Sequence, residues 1–491
     1  MRTHALLATA TVAATVLGTA ALAPAATAVP AADAAVPAAA PAAAPAPAAD
    51  ATADFNGDGY PDLAIGAPTA TVGGLKKAGA ISVVYGSATG FQYSKASFIS
   101  QATPGVPGTP VAGGRWQRIK GFGDFDGDGY DDLVVAPPGG TGGTVLLLWG
   151  SANGLTGASA QVPDATGVGQ RYVGAMGVGD VNGDGHPDLL STASSGIRID
   201  LGPFARTGEP AKSTQPTGLL DYWVMGFRVG DMTGDGIADV IATSNTQDGL
   251  YKTVVLRGTP DGLVKGGSTT GLINERDYGN DNFGDVNKDG YPDFVSVGAV
   301  TNEGKSFSLE RFTVTFGGPQ GVSTTLRPRT YTQDSPGVPG VSEDDDSFGE
   351  SLAVADVDQD GYADVVVGAP GESGTDAAAT RASGAVTVLR GSATGLTTTG
   401  AKVFTQNSAG IPSTSEVMDH FGRSLRVLDA DGNGAPELYV GGEGEDGFTG
   451  RVWKLATAPG TGVTGTSATA FNLATLGGPT GGASFGVHFS G

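Results

Sequence analysis

One nine-residue pattern, Asp-x-[Asp/Asn]-x-Asp-Gly-x-x-Asp, recurs seven times with small departures, and no other feature of the chain constrains its fold so strongly. Positions one, three, five, seven and nine are Asp54, Asn56, Asp58, Tyr60 and Asp62 in the first copy, and Asp124, Asp126, Asp128, Tyr130 and Asp132 in the second. The third copy has Asp180, Asn182, Asp184, His186 and Asp188; the fourth has Asp231, Thr233, Asp235, Ile237 and Asp239. The fifth has Asp285, Asn287, Asp289, Tyr291 and Asp293; the sixth has Asp356, Asp358, Asp360, Tyr362 and Asp364. The last reads Asp429, Asp431, Asn433, Ala435 and Glu437. Successive copies start 70, 56, 51, 54, 71 and 73 residues apart, a period that denotes repeated supersecondary units.

The flanks repeat too. Each loop is followed by a short apolar run, as in Leu63-Ala-Ile-Gly-Ala-Pro68, Leu133-Val-Val135, Val365-Val-Val-Gly-Ala-Pro370 and Leu438-Tyr-Val440. A further strand then ends in a turn, as in Ile81 to Gly90, Val145 to Gly154 and Val386 to Gly395. An outer strand closes alike at Gln101 to Pro107, Gln333 to Pro339 and Gln406 to Pro412. A short strand leads into the next loop, best seen at Phe348-Gly349 to Leu352 and Phe421-Gly422 to Leu425. That makes four strands per unit. One twisted four-stranded sheet cannot bury both faces alone, whereas a ring of them can. The expected fold is therefore all-β, a seven-bladed β-propeller of four-stranded antiparallel blades. No Phe-Gly strand precedes Asp54, and Phe485-Gly486 near the C-terminus has no loop after it. The C-terminal strand should therefore complete the blade that Asp54 opens, pairing two otherwise free strand edges.

Composition agrees. With 82 Gly, 29 Pro and only 16% charged residues, the chain is too rich in turns for a helical protein; 39% hydrophobic residues is too many for a disordered one. There are no Cys, so rigidity must come from something other than disulfides. The net charge of −22 argues against nucleic acid and anionic membranes as partners.

Most of that charge lies in the loops, and clustered carboxylates call for a cation. Ca²⁺ takes six to eight oxygens. Side chains at positions one, three and five converge when the backbone curls, and Gly at position six supplies the positive φ that the curl needs. The carbonyl of position seven adds an oxygen, and the acid at position nine closes the set. Thr233 in loop four, and Asn433 and Glu437 in loop seven, make those two the poorest donor sets. The ligand sets hold 23 carboxylates, and seven Ca²⁺ would bring −22 to −8. Calcium at ten times its Kd stabilises by about 1.4 kcal/mol per site, so seven sites would contribute ~10 kcal/mol. The ions are expected to be structural staples.

Residues 1–28 read as a signal peptide: Arg2 and His4, an apolar run from Ala5 to about Leu22, then Ala26-Thr27-Ala28 before the cut. Residues 29–50 form an Ala/Pro-rich linker, and residues 51–491 form the propeller. The expected product is secreted, extracellular and monomeric, with no membrane span.

Phe348-Gly349, Phe421-Gly422, Ile65-Gly-Ala-Pro68 and Val367-Gly-Ala-Pro370, spaced around the Asp loops, resemble the FG-GAP repeat that builds the N-terminal propeller of integrin α subunits. The resemblance covers about residues 51–491 and fades in units three to five, where Ser191-Thr-Ala-Ser194, Ala242-Thr-Ser-Asn245 and Val297-Gly-Ala-Val300 replace Gly-Ala-Pro. It implies Ca²⁺ in the loops between the first two strands of a blade, in only some of the blades. Integrin ligand recognition needs a second subunit or an inserted domain, and no insertion of that size occurs here, so integrin-type adhesion does not carry over.

The remaining residues favour a binder over an enzyme. His186 sits at a loop position, His420 fills the repeat slot of Ser347, His488 lies in the closing strand, and neither a Gly-x-Ser-x-Gly nor a His-Glu-x-x-His motif occurs. The expected function is a binding or adhesion module for an extracellular protein or carbohydrate, with no catalytic residues. The alternative is an extracellular hydrolase or lyase acting on lipid or polysaccharide and built on such a propeller. Trp116, Trp149, Trp223 and Trp453 are expected in the core rather than on a sugar platform. The acidic runs Glu343 to Asp346 and Glu443 to Asp446 are expected in loops on one face, either simply solvated or offering a site for a cation or basic partner.

Overall fold

The computed structural model describes residues 52–136, 144–166, 176–193, 196–220, 223–245, 251–269, 282–300, 308–375, 377–479 and 482–490. The expected signal peptide, 1–28, and the expected linker, 29–50, both lie outside these residues. Strands dominate; the helices among the described residues are two α-helical turns, Ala377–Thr380 and Glu445–Phe448, and a 3-10 turn, Tyr93–Lys95.

Among the described residues the blade strands form seven antiparallel sheets, each paired in chain order. Blade six is representative: Ser351–Ala355, Asp364–Ala369, Ala385–Arg390 and Thr397–Phe404. Ala355 pairs with Asp364, so the sixth Asp loop is the turn between strands one and two. Blade seven repeats this with Ser424–Leu428, Glu437–Gly442, Arg451–Ala458 and Gly462–Phe471. Blades two to five do likewise, starting at Arg118, Met176, Trp223 and Asn282. Blade five also carries a small hairpin, Gly317–Gly318 with Gly321–Val322, before its outer strand.

Blade one takes three strands from the N-terminal side, Leu63–Ala67, Ala80–Val84 and Ser97–Ile99. Its fourth comes from the C-terminus, as expected. Gly66 N–H donates to His488 O (2.9 Å), Ser490 N–H donates to Ala64 O (2.9 Å), and Ile65 pairs with Phe489.

Strand two of each blade shows why the sequence closes a ring. Its side chains alternate between two junctions. Val365 and Val367 join Phe312, Val314 and Phe316 of blade five, while Val366 joins Leu438, Val440 and Trp453 of blade seven. Leu63 and Ile65 likewise pack against Tyr439 and Phe471 of blade seven, whereas Ala64 faces Leu133 and Val135 of blade two. Each of the seven apolar clusters spans one pair of successive blades, the seven-to-one pair included. A buried Val or Leu contributes ~1.5–3 kcal/mol, so the ring is held mainly at its junctions. Phe348, Phe421 and Phe485 are fully buried there, and Trp116 takes the same place before blade two. Trp116, Trp149 and Trp453 are core residues, as expected; the side chain of Trp223 lies outside the described residues.

Candidate metal centres

All seven loops share one curl. Position six is Gly with φ between +83° and +90°, and position four also has positive φ, including the non-glycine residues Lys288 and Gln359. The position-one carboxylate organises the turn. In loop one, Asp54 Oδ1 accepts from the Gly57 and Asp58 amides (2.7 and 3.1 Å) and Oδ2 accepts from Gly59 (2.8 Å). Asp124, Asp180, Asp231, Asp285, Asp356 and Asp429 accept from the position-six amide at 2.7–2.9 Å in their own loops. Where position three is Asn, its amide donates to the position-five carboxylate: Asn56 to Asp58, Asn182 to Asp184 and Asn287 to Asp289. Position five in turn accepts from the position-seven amide, as Asp58 does from Tyr60, Asp128 from Tyr130 and Asn433 from Ala435. Positions one, three and five therefore lie on one side of a tight turn.

The ninth position behaves differently. Asp364 Oδ2 accepts from Val357 N–H (3.1 Å) and Oδ1 accepts from Gly391 N–H (2.9 Å), joining the loop to the turn after strand three. Asp62, Asp132, Asp188, Asp239 and Asp293 make the same pair of bonds in their blades. All are buried. Burial pushes the carboxyls of Asp62, Asp132 and Asp293 up to about 8, that of Asp364 to about 7, and those of Asp188 and Asp239 to about 6. Glu437 accepts from Ala430 N–H and pairs instead with Lys454 (2.5 Å). The ninth acid is thus a structural fastener as well as a candidate ligand.

Two signals escaped the sequence reading. Position two is apolar in every copy: Phe55, Phe125, Val181, Met232, Val286, Val357 and Ala430, all essentially buried. It roots each loop in a junction. The loops are also chained to one another. Asp131 N–H donates to Asp54 O, Ala238 to Asp180 O and Ala363 to Asp285 O, each from one loop to the preceding one.

The donor chemistry fits a hard divalent cation, since the side chains offered are oxygen ligands. In loop two, Asp124, Asp126 and Asp128 each bring a carboxylate oxygen within 4.8 Å of the others; in loop six Asp356, Asp358 and Asp364 do so. Asp358 Oδ1 is buried with no hydrogen-bond partner, as a metal ligand would be. Basic side chains approach several loops. The Arg206 guanidinium, from blade three, pairs with both Asp126 and Asp128 and lies 5.2 Å from the centre of the Trp149 ring. Arg390 pairs with Asp358 (3.0 Å). In loop four Thr233 N–H donates to Asp239, and its hydroxyl lies 3.3 Å from Asp231 Oδ1.

Comparison with known proteins agrees with this architecture. The family model for the FG-GAP repeat matches residues 46–84 and 348–389, and that for the FG-GAP-like repeat matches 124–191 and 180–242. The chain is a seven-bladed propeller that carries FG-GAP repeats over part of its length. Integrin alpha-IIb of Mus musculus is 33% identical over 153 residues, covering 29% of this chain and 14% of the integrin. Integrin alpha-V of Gallus gallus is 31% identical over 148 residues, 28% of this chain and 13% of the integrin. The phosphatidylinositol-glycan-specific phospholipase D of Rattus norvegicus is 39% identical over 89 residues, 18% of this chain and 10% of that enzyme. The aligned part thus spans about a seventh or less of these relatives. The similarity is confined to that aligned part.

Proposed function

We propose that this chain is a secreted, calcium-loaded propeller that serves as a non-catalytic binding module for an extracellular protein or glycan. The observation that carries the reading is the separation of tasks between the two ends of the strands. The Asp loops lie at one end and fasten blade to blade. At the other end, the loops of blades six and seven enclose a cleft of about 420 Å³ whose walls include Asp344, Asp345, Glu350, Arg381, His420 and Arg423. Arg423 pairs with Glu350, and His420 Nδ1 lies 2.8 Å from Glu443. Arg381 is exposed and makes no ion pair among the described residues. Ca²⁺ would be held by positions one, three and five of the loops, with the ninth acid and the position-seven carbonyl, and would neutralise carboxylates that otherwise repel one another. Rigid blades would then present the cleft. Among the described residues no helix is long and apolar enough to cross a membrane.

The test is binding of glycan arrays and of extracellular proteins in Ca²⁺ and in EDTA. The reading expects a saturable ligand in Ca²⁺ whose affinity falls at least tenfold in Arg381→Glu. Turnover of an ester or polysaccharide by the purified chain would favour the hydrolytic alternative, which the phospholipase D match keeps in view.

A further inference from the structure

Residues 63–123 carry six Lys and Arg and not one Asp or Glu, in a chain of net charge −22. The corresponding stretch from blade six into blade seven, residues 365–428, holds four acids, so their absence is not a property of the repeat. The structure gathers these cations. Lys76 and Lys77 lie in the loop between Leu63–Ala67 and Ala80–Val84, and Arg115 lies in the loop that leads from blade one into blade two. Both loops are at the end of the strands away from the Asp loops. Three backbone bonds join them: Gly113 N–H donates to Lys76 O (2.9 Å), Arg115 to Lys77 O (3.0 Å) and Trp116 to Ala78 O (2.8 Å). Gly79 permits the approach, since a Cβ there would run into the Trp116 backbone. The result is one platform anchored on the buried Trp116.

Lys76, Lys77 and Arg115 are exposed, and none makes an ion pair among the described residues. Arg118, half-buried at the start of the inner strand of blade two, makes none either. Burial, then Arg423, Lys120 and Arg118, push the His488 imidazole down to about 4, against the opposing Glu443. The basic track thus runs from the rim of blades one and two inward to the closing strand.

The construction does not call for this charge. At the six-to-seven junction the same bonds run from Met418 to Arg381, His420 to Ala382 and Phe421 to Ser383; at seven-to-one they run from Ser484 to Phe448 and Phe485 to Thr449. The places of Lys76, Lys77 and Arg115 are taken there by Arg381, Ala382 and His420, and by Gly447, Phe448 and Ser484. Two aliphatic side chains stand on the same basic platform, Leu75 at 38% and Val111 at 59% exposed. The one aromatic residue of the two loops is Trp116, so no ring is offered for a sugar to stack on.

These features select the chemistry of a partner. Exposed cations without acids favour carboxylates, and the aliphatic side chains favour apolar residues beside them. An anionic bilayer is disfavoured by the net charge and by the lack of exposed Trp or Tyr on the platform. Two copies of a chain this acidic repel each other. We propose that Leu75, Lys76, Lys77, Val111, Arg115 and Arg118 form a docking surface for a short acidic segment of a partner protein that carries aliphatic side chains. The surface is separate from the cleft of blades six and seven and does not rest on binding there.

The test uses a fluorescent copolymer of glutamate and leucine, read by anisotropy on the whole chain in excess Ca²⁺. Saturable binding is expected, weakened by salt. The double variant Lys76→Glu, Arg115→Glu should weaken it at least tenfold, whereas Arg381→Glu in the cleft should leave it unchanged. Both substituted platform residues are exposed, so the variant is expected to fold. No binding, undiminished binding to the double variant, or a loss only in Arg381→Glu overturns the proposal, and the last of these leaves the cleft reading intact. Binding of heparin or of phosphatidylserine vesicles in place of the copolymer assigns the surface to a glycan or a membrane, and a salt-sensitive dimer lost in the double variant assigns it to a second copy; each overturns the proposal too. Should the variant fail to fold, carbodiimide coupling of the copolymer to the wild-type chain decides by mass-spectrometric mapping: a link at Lys76 or Lys77 supports the surface, and links only at other lysines overturn it.

Discussion

Replacing Asp364 by Ala separates the two roles of the ninth loop position. The side chain is fully buried and accepts from Val357 and Gly391 N–H. Alanine leaves both donors without an acceptor, and each buried unsatisfied donor costs ~1–3 kcal/mol, a gross loss of ~2–6 kcal/mol. Part is offset. Burial holds the carboxyl up to about 7, so the ion is poorly solvated and its removal relieves some strain at neutral pH. The net loss should be ~2–4 kcal/mol in EDTA. For a propeller of ~440 residues unfolding with ~2.1 cal/mol/K per residue, 1 kcal/mol moves Tm by about 1 °C, so a drop of ~2–4 °C is expected. The comparator is Asp360→Ala. Asp360 is exposed and accepts from Tyr362 N–H, which is worth ~0.5–1.5 kcal/mol. Differential scanning calorimetry in EDTA should rank Asp364→Ala clearly below Asp360→Ala, and both should lose part of the calcium-dependent rise in Tm. If Asp364→Ala costs no more than Asp360→Ala in EDTA, the ninth acid is not a fastener and the argument fails.

Other consequences are open to measurement. Phe421→Ala empties a fully buried position 5.1 Å from the Trp453 ring and should cost ~3–5 kcal/mol in denaturant unfolding; a loss below 1 kcal/mol would contradict the junction as the source of stability. Removing residues 487–491 deletes the His488 and Ser490 bonds to blade one and exposes the edge of Leu63–Ala67, so light scattering should show association; a monodisperse monomer with unchanged Tm would refute closure. In EDTA, Tm should fall between pH 6.5 and 8.5. The folded pKa values of Asp62, Asp132, Asp293 and Asp364 are raised, so their stabilisation is full below the unfolded value and is lost as pH rises through the folded one. His488, lowered to about 4 by burial, acts in the opposite sense but only at more acid pH. Ca²⁺ should flatten the slope, and a rising Tm in EDTA would exclude this account. Arg206→Ala removes the guanidinium from Asp126 and Asp128 and should tighten the affinity of loop two for Ca²⁺, read by titration; weaker binding would mean that Arg206 supports the site rather than competes for it.

The sequence determined the fold class, the number of blades, the closure by the C-terminal strand and the position of each Asp loop, because those signals are local. Alternating apolar residues, a Gly at position six and carboxylates two residues apart act over a few residues and repeat seven times. The structure decided what each group faces. That Asp364 binds the amide of Gly391, that Arg206 reaches loop two, and that Gln333 bonds Glu372 are contacts between residues 27 to 80 positions apart. Such contacts depend on where a twisted sheet returns the chain, and spacing along the sequence does not carry that information. The contrast between Ala385 and Arg451 is the plainest case: each is only a residue after a loop of different length until strand pairing sets them at equivalent places, where Arg451 pairs with Glu445 and Ala385 offers no charge.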